Sequence, residues 1–65
     1  MDQEIKNLVR QKTPVEIYHT NENGAWLWAI NSVGTNIWLE SYLTEEKAVK
    51  FCIRNQLPYT IKGDK

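Results

Sequence analysis

The side chains best suited to act as nucleophile, general base or metal ligand near neutral pH are scarce in this sequence. Cysteine occurs once, at Cys52, and histidine once, at His19. A structural zinc site draws on four Cys or His ligands in paired spacing, so this pair makes none and no metal is expected. A lone cysteine also excludes an internal disulfide and suits a reducing compartment. Cys52 stands in an apolar helical stripe and reads as a buried structural thiol, because a reactive thiolate needs electropositive, partly exposed surroundings. His19, at the end of a strand beside a turn, is expected at the surface. Gly24, Gly34 and Gly63 fall at turns or in the tail, so there is no glycine-rich phosphate loop. Glu16 and Glu40 read as solvated strand residues and not as a carboxylate pair. The chemistry-bearing residues therefore point away from an enzyme and away from any cofactor.

Aromatic residues are the informative class. Trp26, Trp28, Trp38, Tyr18, Tyr42, Tyr59 and Phe51 occur in a chain of 65 residues, more than one short helix encloses. Strand alternation sends Tyr18, Trp38 and Tyr42 to the face opposite Ile17, Ile37 and Leu39. That face is either covered by an N-terminal helix or forms an exposed aromatic patch of the kind that marks binding and dimer surfaces.

The elements that position these residues follow from local signals. Ile5, Leu8 and Val9 at i, i+3, i+4 predict a one-sided helix over 4–12, which Thr13-Pro14 interrupts. Val15 to Thr20 has strand composition, with Val15, Ile17 and His19 on one face and Glu16, Tyr18 and Thr20 on the other. Asn23-Gly24 is a strong hairpin signal. Ala25 to Asn31 is apolar on both faces and reads as a central strand. Ser32-Val33-Gly34-Thr35 turns the chain into a third strand, Asn36 to Tyr42. Thr44 is a good N-cap for a helix whose acidic Glu45 and Glu46 begin it and whose Lys50 and Arg54 lie toward its end. Ala48, Val49, Cys52 and Ile53 form the apolar stripe of that helix, with Phe51 on its flank. Leu57-Pro58 ends it, Tyr59 to Lys62 alternates like a short last strand, and Gly63-Asp64-Lys65 is expected to fray. The fold class is α+β in the order α-β-β-β-α-β: a three-stranded antiparallel meander packed on the helix of the C-terminal half. Residues 1–65 read as one small domain.

Composition and charge narrow the partner. A chain this short buries only about 60% of the surface its unfolded form exposes, so self-association into a homodimer is the expected extra source of stability. No apolar run reaches the length of a membrane span and the N-terminus lacks a signal-peptide pattern, so the expected location is cytoplasmic. The net charge is zero, yet residues 13–46 hold Glu16, Glu22, Glu40, Glu45 and Glu46 and neither Lys nor Arg. Lys47, Lys50, Arg54, Lys62 and Lys65 gather after them. Phosphate binding draws its affinity from Lys and Arg, so an acidic sheet disfavours nucleic acid and fits a protein with a basic rim.

The run from Ile37 to Ala48, Ile37-Trp38-Leu39-Glu40-Ser41-Tyr42-Leu43-Thr44-Glu45-Glu46-Lys47-Ala48, preceded by Gly24-Ala25-Trp26 and Ile30, resembles AP2-type and integrase N-terminal DNA-binding domains over about residues 15–55. The resemblance implies a three-stranded sheet on a helix, with Trp26 and Trp38 as the matching tryptophans of a DNA-contacting sheet. The arginines of that family have no counterparts, and Glu40 stands where it commonly has glycine. The leading expectation is a small non-enzymatic interaction module, such as a bacterial or phage regulator or inhibitor, that binds a protein through Tyr18, Trp26, Trp38, Glu40 and Tyr42. The alternative is a nucleic-acid-binding module with stacking aromatics and with Lys47, Lys50 and Arg54 on phosphates.

Overall fold

A two-residue turn sets the first half of the fold. Asn23 and Gly24 both have positive φ, 55° and 88°, the backbone of the type I′ turn whose twist matches that of paired strands. The Gly24 N–H donates to Asn21 Oδ1 at 3.1 Å. This turn joins β1 (Val15–Glu22) to β2 (Ala25–Ser32) as an antiparallel hairpin with Ile17 opposite Ile30 and His19 opposite Trp28. The computed structural model describes residues 3–64; Met1 and Asp2 of the acidic start and Lys65 of the basic tail lie outside the described residues.

The expected α-β-β-β-α-β order holds: α1 (Gln3–Arg10), β1, β2, β3 (Trp38–Tyr42), α2 (Glu45–Arg54) and β4 (Tyr59–Asp64). The connection from β2 to β3 is built on Ser32, which is fully buried. Its hydroxyl accepts from the Ile37 N–H at 3.0 Å and pairs with the Thr35 hydroxyl. Gly34 and Asn36 take positive φ of 94° and 56° in this loop, so β3 starts at Trp38 and not at Asn36. Thr44 caps α2 as the sequence predicts, its Oγ1 accepting from the Lys47 N–H at 3.2 Å. Lys50 pairs with Glu46 one turn earlier, 3.6 Å apart on the exposed face.

The sheet order is β3-β2-β1-β4. The last strand extends the meander to four strands by lying parallel to β1, with Val15 opposite Tyr59 and Ile17 opposite Ile61. It continues to Asp64, so Gly63 and Asp64, expected in the fraying tail, belong to the strand. The α2 helix is the crossover that a parallel strand pair requires.

One core joins the sheet to α2. Val15, Ile17, Ile30 and Leu39 from the strands meet Ala48, Phe51 and Cys52 of α2 and Leu57 just beyond it. Ile5, Leu8 and Val9 of α1 pack against this same cluster, half-buried. The cluster contains neither Tyr18 nor Ala29, the buried residues of the reverse face. The apolar stripe of α2 also differs from its expected position. Phe51 is buried while Ile53 is 62% exposed, because Ala48, Phe51 and Cys52 fall on one side at 100° per residue and the larger ring takes the core side.

Both helices end in the same way. Beyond α2, the Leu57 N–H reaches Cys52 C=O at 2.8 Å and the Gln56 N–H reaches Ile53 C=O at 3.1 Å, with Gln56 at φ 58°. Beyond α1, Thr13 and Lys12 repeat the pattern on Leu8 and Val9, with Lys12 at φ 56°. These are Schellman turns with a side chain where glycine is usual. Leu57 enters the core at the position this motif reserves for a hydrophobic contact. The Lys12 ammonium donates to Asn55 C=O at 3.1 Å, tying the two helix C-terminal ends together. Because left-handed backbone costs an ordinary residue roughly 1 kcal/mol, Gln56→Gly is expected to raise unfolding stability by about 0.5–1 kcal/mol, read as an increased denaturant midpoint at unchanged slope.

Candidate functional site

The hairpin register places aromatic rings side by side at the end of the sheet near the Asn23-Gly24 turn. Trp26 and Trp28 are two residues apart on β2 and share a face. His19 lies against both from β1. Its ring is 4.5 Å from Trp28 at an interplanar angle of 8°, and 4.8 Å from Trp26 at 43°. Tyr42 of β3 stands opposite Trp28 on the other side, and its ring is 6.1 Å from Phe51 of α2 at 47°. Phe51, Tyr42, Trp28, His19 and Trp26 thus run from the core to the surface. Phe51 is buried, Tyr42, Trp28 and His19 are half-buried, and Trp26 is 55% exposed.

Tyr42 reaches this run through a register shift. Asn31 pairs with Trp38 and Ile30 with Glu40, which leaves Leu39 as an extra residue in β3. The bulge lets Leu39 and Tyr42, three residues apart, both serve the α2 face, where unbroken alternation would oppose them. Tyr18 and Trp38 occupy the reverse face, opposite Ala29 and Asn31. Tyr18 is 7% exposed and Trp38 39%. The expected Tyr18, Trp38 and Tyr42 surface is therefore corrected: Tyr42 belongs to the α2 face and meets Trp28 and Phe51 instead. Trp26 joins it there, and Glu40 stands opposite Ile30 with its Oε1 accepting from the Ser41 N–H at 3.3 Å.

His19 is also more than a surface residue. It is held between two indoles, and counting outward from the Asn23-Gly24 turn, which makes Glu22 face Ala25, brings it opposite Trp28. Its imidazole gives the site a polar, hydrogen-bonding edge between two apolar plates.

Electrostatics act on two groups. Burial pushes up the pKa of the Tyr42 hydroxyl and the Glu40 carboxylate adds to this, while the Arg54 guanidinium opposes both. Tyr42 is thus a neutral phenol at pH 7, able to donate and accept. Burial alone pushes the Cys52 thiol up from 9.0 to about 11. It sits fully enclosed in the core, as its apolar stripe predicts. Among the described residues no group of three or more His, Cys, Asp or Glu is arranged to hold a metal ion. No helix is long and apolar enough to cross a membrane among the described residues.

Lys47, Lys50 and Arg54 are exposed along α2. Lys6, Arg10 and Lys12 are exposed on and just after α1. Since both helices pack on the same cluster, these six cations share the helix layer with Glu4, Glu45 and Glu46. Comparison of the chain with protein-family models, with curated proteins and with solved structures yields no match.

The raised Cys52 pKa has a definite sign in stability. The folded state holds the thiol proton more tightly than the unfolded chain, so this contribution is complete below pH 9 and is lost as pH rises through about 11. Unfolding free energy is expected to fall by about 2–3 kcal/mol over that window, and Cys52→Ala should flatten the decline in denaturant titrations at stepped pH. Tyr42→Phe should remove a further part of the slope above pH 10, since the Tyr42 hydroxyl is shifted in the same direction.

Proposed function

We propose that this chain is a small non-enzymatic interaction module that docks a protein partner through Trp26, with Trp28, His19 and Tyr42 forming the wall beside it and Glu40 an acidic neighbour. The observation that carries this reading is Trp26 itself, 55% exposed yet braced against His19 in a tightly turned hairpin. A large ring held rigid before binding loses little entropy on docking, and tryptophan and tyrosine dominate binding hot spots for that reason. The partner chemistry that fits is an apolar pocket or side chain flanked by basic groups. Regulation or inhibition by masking such a surface on another protein is the role this device serves without chemistry of its own.

The second reading, binding of nucleic acid, draws on the helix layer. Lys6, Arg10, Lys12, Lys47, Lys50 and Arg54 outnumber Glu4, Glu45 and Glu46 there, and the Lys12 bond to Asn55 brings the two rows of cations together at one end. The Glu40 carboxylate beside Tyr42 works against phosphate at the aromatic end.

Two measurements separate these readings. With the protein immobilised, Trp26→Ala is expected to reduce retention of its protein partner by about ten-fold or more, as hot-spot truncations do. Trp38→Ala, on the reverse face, should leave retention intact, and both variants should keep their circular dichroism and unfolding midpoint. Equal retention by wild type and Trp26→Ala would remove the protein-docking reading. Tight binding of duplex or single-stranded DNA that falls steeply with salt and is lost on combined Lys47→Ala, Lys50→Ala and Arg54→Ala substitution would establish the nucleic-acid reading in its place.

A further inference from the structure

The β4 strand forms one edge of the sheet, and among the described residues no further strand pairs with its outer side. Natural proteins usually guard such an edge by charge, proline or strong twist. The guard here is thin. Tyr59 and Ile61 lie on the helix side of the sheet, in register with Val15 and Ile17 of the core, and remain 40% and 42% exposed. Thr60 is exposed on the reverse side, in register with Glu16. Lys62, the cation that would protect the edge, is turned to Glu16 of the same chain at 3.2 Å. Both edges carry an irregularity, β3 at Leu39 and β4 at Lys62, but Tyr59 to Ile61 lies ahead of the latter in regular pairing, whereas β3 has only five residues and is interrupted at its second.

Backbone geometry fixes which groups this edge offers. Val15 N–H donates to Pro58 C=O at 2.9 Å. In a parallel ladder each residue turns its N–H and C=O to one side and its neighbour turns them to the other. Pro58 and Thr60 therefore address β1, and Tyr59 and Ile61 present their N–H and C=O groups outward.

We propose that two copies of this chain associate edge to edge through β4, antiparallel about a twofold axis perpendicular to the sheet, with Tyr59 of each opposite Ile61 of the other. In that register the outward groups of Tyr59 and Ile61 exchange backbone hydrogen bonds at both ends of the contact. Thr60 meets its own symmetry mate at the centre as a non-hydrogen-bonded pair, the closer kind of cross-strand neighbour. Aromatic with β-branched and Thr with Thr are both favourable cross-strand pairings. The occupant is a second copy because the edge is complementary to itself: the residues facing each other at its centre, Tyr59, Thr60 and Ile61, carry no charge. Charge also bears on the register, since a shift by four residues would set Lys62 against Lys62, whereas here the two ammonium groups stand at opposite ends. The joined sheet continues the core row Ile30, Ile17, Ile61 into Tyr59 and Val15 of the second copy and carries both helix layers on one side. A contact confined to one strand pair lies at or below the roughly 1,200 Å² that marks the lower bound of stable interfaces, so the dimer is weak and concentration-dependent.

Sedimentation equilibrium of the full chain from about 5 to 500 µM is expected to show a monomer–dimer equilibrium with its midpoint inside that range, at about 10–300 µM. Thr60→Lys, which opposes two ammonium groups on the dyad, and Ile61→Pro, which removes an outward donor, should each shift it to monomer with circular dichroism preserved. Thr60→Cys supplies an independent reading in the folded wild-type background. Opposed cysteines at this pair lie within reach of a disulfide, so mild oxidation should yield covalent dimer about ten-fold faster than with Tyr59→Cys, whose copies are offset along the strand. Cys52, fully buried, does not compete. A wild-type monomer throughout this range, a dimer indifferent to both edge variants, or equal cross-linking by the two cysteine variants would overturn the proposal.

Discussion

The register of the β1-β2 hairpin is the constraint on which the rest of this structure depends. Because side chains alternate across a strand, a slip of one residue would turn β2 over against β1, sending Ile30 to the reverse face and bringing Ala29 under α2. The two positive φ angles at Asn23 and Gly24 prevent that slip by allowing one loop length and one twist. The same register sets His19 between Trp26 and Trp28. Core and aromatic surface are consequently two ends of a single ladder.

A second irregularity distributes the rings between the faces. Sheets with one buried face ordinarily keep strict alternation along every strand, and β3 departs from it at Leu39. The extra residue keeps Leu39 in the core while Tyr42, beyond it, meets Phe51. Trp38, before the bulge, stays on the reverse face opposite Asn31, whose buried Oδ1 has no hydrogen-bond partner among the described residues. Bulges gather at sheet edges and beside working sites because they re-aim a side chain without disturbing the central strands.

These two features also explain what could be read from the residues. Asn23-Gly24, Thr44 followed by Glu45 and Glu46, and the Thr13-Pro14 break are local signals, and each element they predict is present within a few residues. The partner of β4 was not legible, since alternation from Tyr59 to Lys62 says that a strand exists and not which edge receives it. Strict alternation puts Tyr42 on the wrong face because no glycine or proline announces the bulge at Leu39. Hydropathy puts Ile53 in the apolar stripe and Phe51 on its flank, whereas in the structure Phe51 fills the space under α2 and Ile53 is exposed. The stack around His19 was legible in principle from the turn alone, by pairing residues outward on either side of it.

The parallel seating of β4 on β1 also orders the events of folding. Asn23 and Gly24 close the hairpin across two residues, whereas Val15 and Tyr59 meet across 44 positions of chain, and loop-closure entropy grows with that separation. The hairpin, β3 and α2 can therefore assemble while the place of β4 is still vacant, with Val15 and Ile17 open along one side. In that interval the unpaired backbone edge belongs to β1, a longer and more apolar strand than the one that finally covers it. How fast the last six-residue strand docks thus decides how long a folding chain presents its most aggregation-prone edge to its neighbours.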